Sequence, residues 1–244
     1  MIFDIPAKTN LKGGIAMNPH LEAIAKAYDR GIDCGRQGID LYKNLPEHII
    51  NAPGFKQWEA ASAADGGDSG RKEIYDFLSP GADMKFIDLG CCLNLMINGY
   101  DQWPSLYHGV DISEKTIQLL NEFAANNNLT VGALYRGSVD KTPFGDNFFD
   151  IGACIGVLEY FERDFVENAL AEARRIIKPN GRFVLDIPDI GDPVYRVMAL
   201  VEAHLGRPDK FNMTSRAFEE ILKNYFEIVN KIDGAMILYF LSRK

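Results

Sequence analysis

The sequence predicts an α/β fold in which helices cover both faces of a mainly parallel, doubly wound sheet. From Lys72 onward, short apolar strands alternate with amphipathic helices, a pattern that favours parallel strands joined by right-handed helical crossovers. Near the C-terminus, Asp233-Gly234 joins two apolar runs and is typical of a hairpin turn, which adds an antiparallel pair at one edge. A length of 244 residues fits one large domain, or a core domain with an additional segment.

Residues 1–70 are predicted as a helical, loop-rich N-terminal extension or cap, and residues 71–244 as the core. Apolar spacing over 21–28 predicts one helix, and spacing over 39–45 predicts a second short helix that ends before Pro46. The run Ala60–Gly70 is nearly all small or acidic, which is typical of a loop. Two alternatives stay open for the start: residues 1–16 are ordered, or the true start is Met17.

The core elements follow in a regular order. They are helix 72–78, strands 85–90 and 107–111, a helix after the N-cap Ser113, strands 133–135 and 149–155, helix 165–177 ended by Pro179, strand 182–187, helix 215–224, and strands 226–232 and 235–241. Residues 188–213 are too long for a simple connection. We expect a lid-like insertion there, which would close over the site together with the N-terminal extension and exclude water.

The amino-acid composition favours some classes of binding partner over others. With 26 Lys and Arg against 34 Asp and Glu, the net charge of −8 disfavours nucleic acid and favours a small molecule. The uncharged stretches are too short to span a bilayer, and the first residues lack an apolar signal core, so the prediction is a cytoplasmic protein without membrane attachment. Four cysteines lack C-x-x-C spacing, so we expect packed thiols and no metal. The oligomeric prediction is a monomer or a homodimer.

Carboxylates follow two predicted strands at the edge where ligands bind in doubly wound sheets. Asp88-Leu-Gly90-Cys91-Cys92 follows the first strand, and Asp111 ends the next one 23 residues later. That spacing is near the value of about 20 at which a carboxylate binds a ribose diol, because two hydroxyls can donate to one carboxylate. Two acids together would repel a phosphate, so the pattern favours a nucleoside with no 5′ phosphate.

Five motifs occur in order over about residues 72–190. They are Phe-Ile-Asp-Leu-Gly-Cys at 86–91, Gly-Val-Asp-Ile-Ser at 109–113, Pro-Phe-x-Asp-x-x-Phe-Asp at 143–150, Val-Leu-Glu-Tyr at 157–160 and Ile-Ile-Lys-Pro-Asn-Gly-Arg-Phe-Val-Leu at 176–185. This succession resembles the class I S-adenosylmethionine-dependent methyltransferases, closest to the small-molecule "type 11" group. The resemblance implies a Rossmann-like, seven-stranded sheet of order 3-2-1-4-5-7-6 with strand 7 antiparallel.

The resemblance also implies a reaction and a site. The expected cofactor is S-adenosylmethionine, with S-adenosylhomocysteine as product, and the expected reaction is an in-line methyl transfer to an O, N, S or C nucleophile of a small molecule. The implied contacts are Asp88, Gly90 and Ile155 to the methionine part, Asp111 to the ribose, Ile112 to the adenine, Ser138 and Val139 to its amino edge, and Cys91 and Cys92 as small packed residues beneath the ligand.

The chain departs from the family pattern at three positions in two of its motifs. Of the glycines in the pattern D-x-G-x-G-x-G it keeps only Gly90, with Cys92 and Asn94 at the other two positions, and Ser138 stands where an Asp is usual. Cys92 is small and Asn tolerates the left-handed region, so binding can survive. The alternative is a catalytically degenerate binding or partner subunit. An oxidoreductase is disfavoured, because no Gly-x-Gly-x-x-Gly follows the first strand.

Candidates for the acceptor side are less specific. Glu159, Tyr160 and His204 are the candidates for a base or a hydrogen bond to the acceptor, although Glu159-Tyr160 also suits a helix N-terminal acid beside a packed aromatic. The candidate pocket aromatics, each individually more typical of a core, are Tyr28, Tyr42, Trp58, Tyr160, Tyr195 and Phe211. The acceptor itself is not readable from the sequence.

Overall fold

Seven strands form one sheet in a computed structural model that describes residues 19–64 and 71–244. The strands are β1 (Lys85–Leu89), β2 (Leu106–Asp111), β3 (Leu134–Arg136), β4 (Phe149–Cys154), β5 (Ile177–Pro188), β6 (Glu227–Ile232) and β7 (Met236–Ser242). Their order is β3-β2-β1-β4-β5-β7-β6, and β7 is antiparallel to both of its neighbours. The predicted fold class and strand order are therefore confirmed.

Nine α-helices are described in residues 19–64 and 71–244, and three of them begin at a side-chain cap. The nine are α1 (Pro19–Arg36), α2 (Glu47–Ile50), α3 (Phe55–Ala64), α4 (Arg71–Leu78), α5 (Asn94–Ile97), α6 (Glu114–Asn126), α7 (Arg163–Ile176), α8 (Pro193–His204) and α9 (Ser215–Leu222). The side chains of Ser113, Asp192 and Thr214 each accept a hydrogen bond from a backbone N–H in the first turn of α6, α8 and α9. These bonds satisfy donors that a helix N-terminus otherwise leaves unpaired.

Apolar side chains cover both faces of the sheet. Along β5, Phe183 and Leu185 pack on one face with α7 and α9, whereas Val184 packs on the other face with α4 and α6. Successive side chains of a strand point to opposite faces, so a strand buried on both sides is continuously apolar. The sheet is thus the central layer of the fold. The carboxyl ends of its parallel strands all lie along one side of this layer.

Two predictions in the N-terminal region are wrong. Residues 39–45 form turns, and the short helix α2 begins only after Pro46, whose fixed φ and missing N–H suit the entry to a helix and not its end. The loop predicted from Ala60 is helical as far as Ala64, because alanine has the strongest helix propensity. Residues 65–70 and the question of Met17 lie outside the described residues.

The fifth strand begins earlier than predicted. Pro179 follows soon after the end of α7, but β5 already starts at Ile177 and includes the Pro-Asn-Gly turn. Asn180 has a φ of 63°, and its N–H donates to the carbonyl of Arg243, whose own N–H donates to the carbonyl of Gly181. The C-terminal strand thus pairs with a segment that local turn chemistry alone would leave as a loop.

The insertion predicted at 188–213 contains α8, which packs against the N-terminal helices. Ile49, Phe55, Val197 and Val201 are buried together with Leu205 in a separate apolar cluster. We call residues 19–64 and 193–213 the cap. The division of the chain at residue 70 stays a prediction.

Candidate functional site

A cavity of about 270 Å³ lies at the carboxyl ends of β1, β2 and β4, underneath α1. The strand order reverses between β1 and β4, and at such a switch point the two crossovers run to opposite faces and leave a crevice. Leu21, Ile24 and Ala25 of α1 form the opposite wall. A ligand in this cavity would therefore lie between the sheet edge and the cap.

Most of the cofactor-contact residues predicted from the sequence line this cavity. They are Gly90, Cys92, Asp111, Ile112, Ser138, Val139 and Ile155, and Tyr160, a candidate for the acceptor, also lines it. These residues come from four separate loops, which the fold brings together. The prediction that each contacts a cofactor is not tested by this placement.

Asp88 does not line the cavity. Its carboxylate is fully buried and accepts hydrogen bonds from the Tyr107 hydroxyl at 2.8 Å and from Asn94 Nδ2 at 3.1 Å. Asn94 itself lines the cavity. Asp88 therefore acts on the site indirectly, by fixing the side chain of Asn94.

Cys91 does not line the cavity either. Its side chain is buried against β2, where a Cβ on Gly109 would lie 2.9 Å from the Cys91 Sγ. Burial raises the pKa of the Cys91 thiol well above its usual value, so the group stays protonated. The residue packs beneath the turn and is not a nucleophile.

The turn after β1 depends on two unusual backbone conformations. Gly90 has a φ of 76°, and a Cβ there would lie 2.2 Å from Val157 Cγ2, so glycine is required. Cys92 has a φ of 39°, whereas Asn94 begins α5 and is helical. Cys92 is thus the non-glycine residue with a positive φ in this turn, and the tolerance of asparagine for that conformation is not used at Asn94.

The carboxylate of Asp111 is oriented by two backbone hydrogen bonds and can accept more. Its Oδ2 accepts from the Cys92 N–H at 2.8 Å, and its Oδ1 accepts from the Ser113 N–H at 2.7 Å. A carboxylate offers about four acceptor positions, so each oxygen can accept one more donor. Burial, with a smaller contribution from Asp29 of α1, raises the pKa of Asp111 to about 6. At neutral pH the group is therefore a carboxylate in the wall of the cavity.

The Ser138 side chain provides the polar group at the far end of the cavity. Its hydroxyl donates to Asp140 Oδ1, which leaves the Ser138 oxygen free to accept a further hydrogen bond. Ile112 and Val139 are the apolar neighbours at this end. The arrangement suits a flat, partly apolar group that carries an N–H donor at its edge.

A tyrosine pair joins α1 to the turn after β4. The Tyr28 and Tyr160 hydroxyls are 2.8 Å apart, and Tyr160 also donates to Glu202 Oε2 at 3.0 Å. Arg207 pairs with Glu202, with Nη2 to Oε1 at 3.1 Å, and its guanidinium lies 4.4 Å from the centre of the Tyr28 ring. Of the predicted pocket aromatics, Tyr28 and Tyr160 line the cavity. Glu202 and Arg207 were missed because no local pattern distinguishes them.

Glu159 and His204 differ sharply in position. Glu159 is 8% exposed, and burial together with Asp186 raises its pKa well above the usual value. His204 is exposed at the C-terminal end of α8 and is not among the residues that line the cavity. Of the three acceptor-side candidates, Tyr160 therefore lines the cavity, whereas Glu159 and His204 do not.

Two searches of the described ranges, 19–64 and 71–244, gave no candidates. No group of three or more His, Cys, Asp and Glu side chains there is arranged to hold a metal ion. No helix there is both long and apolar enough to cross a membrane.

Residues 87–185 match a protein family described as "Methyltransferase domain". The "Uncharacterized methyltransferase YcgJ" of Bacillus subtilis (strain 168) is 25% identical over 104 residues, which are 43% of this chain and 40% of that protein. The "Ubiquinone/menaquinone biosynthesis C-methyltransferase UbiE" of Paraburkholderia xenovorans is 33% identical over 89 residues, 36% of this chain and 35% of that protein. The matches thus span less than half of either relative.

A solved structure extends the likeness to nearly the whole chain. Geranyl diphosphate C-methyltransferase from Streptomyces coelicolor A3(2), crystallised with Mg²⁺, geranyl diphosphate and S-adenosyl-L-homocysteine, has a TM-score of 0.67. The alignment covers 93% of this chain and 99% of that one at 17% identity, which demonstrates a shared fold. Residues 87–185, the centre of this chain, are thus similar to methyltransferase domains in sequence, and the sheet order is the one that the resemblance to class I S-adenosylmethionine-dependent methyltransferases implies.

Proposed function

We propose that this protein binds S-adenosylmethionine in the cavity under α1 and transfers its methyl group to a small-molecule nucleophile. The observation that carries the proposal is Asp111, a buried carboxylate at the end of β2 whose two oxygens each retain an acceptor position. Gly90, in the turn after β1, lines the same cavity. Together they would form a site for a ribose diol.

The residues present fit such a cofactor without the missing glycines. Cys92 and Asn94 replace two glycines of the family pattern, yet both lie in the wall of a cavity that stays open at about 270 Å³. Cys92 adopts the positive φ that the turn requires, and its N–H donates to Asp111. These facts favour an active enzyme over the degenerate binding subunit.

Each part of the wall then has a role. Asp111 would orient the ribose, Ile112 and Val139 would flank the adenine, and the Ser138 oxygen would accept from its amino group. The cofactor, when bound, supplies an electrophilic methyl group on a sulfonium. The protein's own contribution is to hold the acceptor in line behind that methyl group and to keep water out, and proximity of this kind accounts for much of the rate in displacement reactions.

The acceptor enters this proposal as a small molecule. The cavity lies under α1, and the Tyr28 and Tyr160 hydroxyls join α1 to the turn after β4, an enclosure that suits a small molecule better than a polymer. The net charge of −8 also opposes a nucleic-acid substrate. The free thiols of all four cysteines fit a reducing compartment, so we place the enzyme in the cytoplasm.

Calorimetric titration with S-adenosylhomocysteine tests the proposal. We expect one molecule to bind per chain, and ATP, whose phosphates would face Asp111, to bind far more weakly. No binding at several hundred micromolar would refute the cofactor assignment and favour the partner-subunit alternative. In that case the protein would be expected to purify with a second chain and without a bound nucleoside.

A further inference from the structure

A chain of hydrogen bonds leads from the tyrosine pair in the cavity wall to a carboxylate of the cap. The Tyr28 and Tyr160 hydroxyl oxygens are 2.8 Å apart, and Tyr160 donates to Glu202 Oε2 at 3.0 Å. An ionised carboxylate, here paired with Arg207, can only accept, so Tyr160 places its own proton on Glu202 and has to accept the proton of Tyr28. The chain therefore has one direction, from Tyr28 through Tyr160 to Glu202.

This direction leaves the Tyr28 oxygen able to accept a further hydrogen bond. Its hydroxyl donates to Tyr160, which is its one hydrogen-bond partner within residues 19–64 and 71–244. Burial raises the pKa of both tyrosines, so each keeps its proton at neutral pH. Because Tyr28 lines the cavity, its oxygen can accept from a molecule bound there.

Apolar side chains share this part of the cavity wall with the tyrosine pair. Leu21 and Ile24 come from α1, whereas Phe161 and Phe165 come from the segment after β4 and the first turn of α7. The rings of Phe161 and Phe165 are stacked, with their centres 3.7 Å apart. Such a wall favours a flat, apolar group, and it disfavours a charged one because burying an unpaired charge is costly.

We infer that the methyl acceptor is an uncharged phenol, whose hydroxyl donates to the Tyr28 oxygen and whose ring packs on the apolar wall. The inference rests on the proposed function, which assigns the Asp111 end of the cavity to the nucleoside. A phenol supplies one donor for the one oxygen at the start of the chain. An ammonium group would bring a charge and three donors to the same place.

The hydrogen-bond chain also gives the phenol proton a destination. The phenol oxygen forms the new O–C bond while the C–S bond of the sulfonium breaks and its electron pair stays on sulfur. The phenol proton passes to Tyr28 as Tyr28 gives its own proton to Tyr160, and Tyr160 gives its proton to Glu202. The products are a methyl ether, a thioether and a protonated Glu202. The Glu202 side chain is 18% exposed, so it can release this proton to solvent.

Arg207 supports this transfer from the side of the cap. Its guanidinium lies 4.4 Å from the centre of the Tyr28 ring and also pairs with Glu202. A cation at this place stabilises negative charge that develops on the Tyr28 oxygen during the transfer. Tyr28 is therefore a binding residue for the acceptor, and Glu202 is a positioning residue that acts through Tyr160.

Matched sets of small aromatic compounds test the inference. The probes are 2-naphthol and 4-propylphenol, each compared with its methyl ether and with the carboxylate and the aminomethyl compound of the same skeleton. Each is titrated by calorimetry into protein saturated with S-adenosylhomocysteine. At least one phenol should bind about tenfold more tightly than its three analogues. That phenol should also be converted to its methyl ether with S-adenosylmethionine, as measured by mass spectrometry.

Two variants and a control separate the roles in the chain. Tyr28→Phe removes the hydroxyl but keeps the ring, so the preference for phenol over methyl ether should fall to about twofold or less, with the affinity for S-adenosylhomocysteine within about twofold of native protein. Glu202→Gln cannot take up the proton, so it should lower the rate at saturating phenol by at least about tenfold and change the phenol affinity less. Tyr75→Phe, at an exposed position of α4, should change none of these quantities.

Several results would overturn the inference. They are a phenol that binds no better than its methyl ether, a preference that persists in Tyr28→Phe, and tighter binding of the carboxylate or the amine. A loss of S-adenosylhomocysteine affinity in Tyr28→Phe as large as its loss of phenol affinity would also overturn it, because Tyr28 would then contact the cofactor. An unchanged rate in Glu202→Gln would refute the proton path. If native protein does not bind S-adenosylhomocysteine, the proposed function fails, and the same titrations without it still test the tyrosine pair as a phenol site.

Discussion

Replacing Asp111 by asparagine separates its role as an acceptor from its role in the fold. The amide keeps the shape of the carboxylate, and its one oxygen can still accept from the backbone N–H of either Cys92 or Ser113. The NH₂ group then faces the other N–H and cannot accept a ribose hydroxyl. The variant thus loses one hydrogen bond to the ribose and turns the other into a neutral bond.

The expected loss follows from these contacts. A hydrogen bond to a charged group contributes about 1.5–3 kcal/mol, and a neutral one about 1 kcal/mol. Losing one charged bond and weakening the second amounts to about 2–4 kcal/mol, or about 30- to 700-fold in the dissociation constant. The lower limit applies if a water molecule replaces the missing acceptor.

The assay is calorimetric titration of native and variant protein with S-adenosylhomocysteine at about pH 7.5, above the pKa of about 6 of Asp111. Glu122→Gln is the matched control, because it removes the same charge from the exposed face of α6. Circular dichroism verifies that both variants are folded. Affinity of Asp111→Asn within about twofold of native protein would refute the ribose assignment.

Three further predictions concern stability. Gly90→Ala should lower the free energy of unfolding by about 2–4 kcal/mol in urea titrations, because the alanine Cβ would overlap Val157 and the backbone φ at this position is 76°. A loss below about 0.5 kcal/mol would contradict the requirement for glycine in this turn. Tyr160→Phe should cost about 1–2 kcal/mol in the same assay, since it removes the bonds to Tyr28 and Glu202, and an unchanged midpoint would show that these bonds are not formed in solution. The pKa values of Asp111 and Asp209 are raised to about 6, so near pH 5 the folded chain binds protons there that the unfolded chain does not. The free energy of unfolding should therefore rise by about 1 kcal/mol for each group as the pH is lowered from 7.5 to 5. A fall in the free energy of unfolding over that range would contradict the burial of these carboxyls.

A mainly parallel sheet could be predicted from the residue pattern, its strand order followed from the family resemblance, and the strand-end residues could be predicted because a parallel topology fixes where they lie. Parallel strands joined by crossovers bring their carboxyl ends to one edge, so Gly90, Asp111 and Ile155 converge whatever the details of packing. The sequence could not show that Asp88 lies outside the lining of the cavity. In a strand buried on both faces, the sequence does not distinguish the face that meets the ligand from the face that meets Tyr107.

The cap was less predictable because it depends on contacts between distant segments. The spacing of Leu21 and Ile24 predicts a helix, but nothing local states that this helix covers the cavity. Arg207 contacts Tyr28 of α1 and Glu202 of α8 only when both helices are in their folded positions.

The structure of the protein crystallised with S-adenosylhomocysteine tests the central claim most directly. We expect the nucleoside in the cavity beneath α1, with both ribose hydroxyls within hydrogen-bonding distance of Asp111, the adenine between Ile112 and Val139, and the sulfur directed toward Tyr28 and Tyr160. A cavity that stays empty at saturating ligand, or a ribose bound to other side chains, would contradict the account.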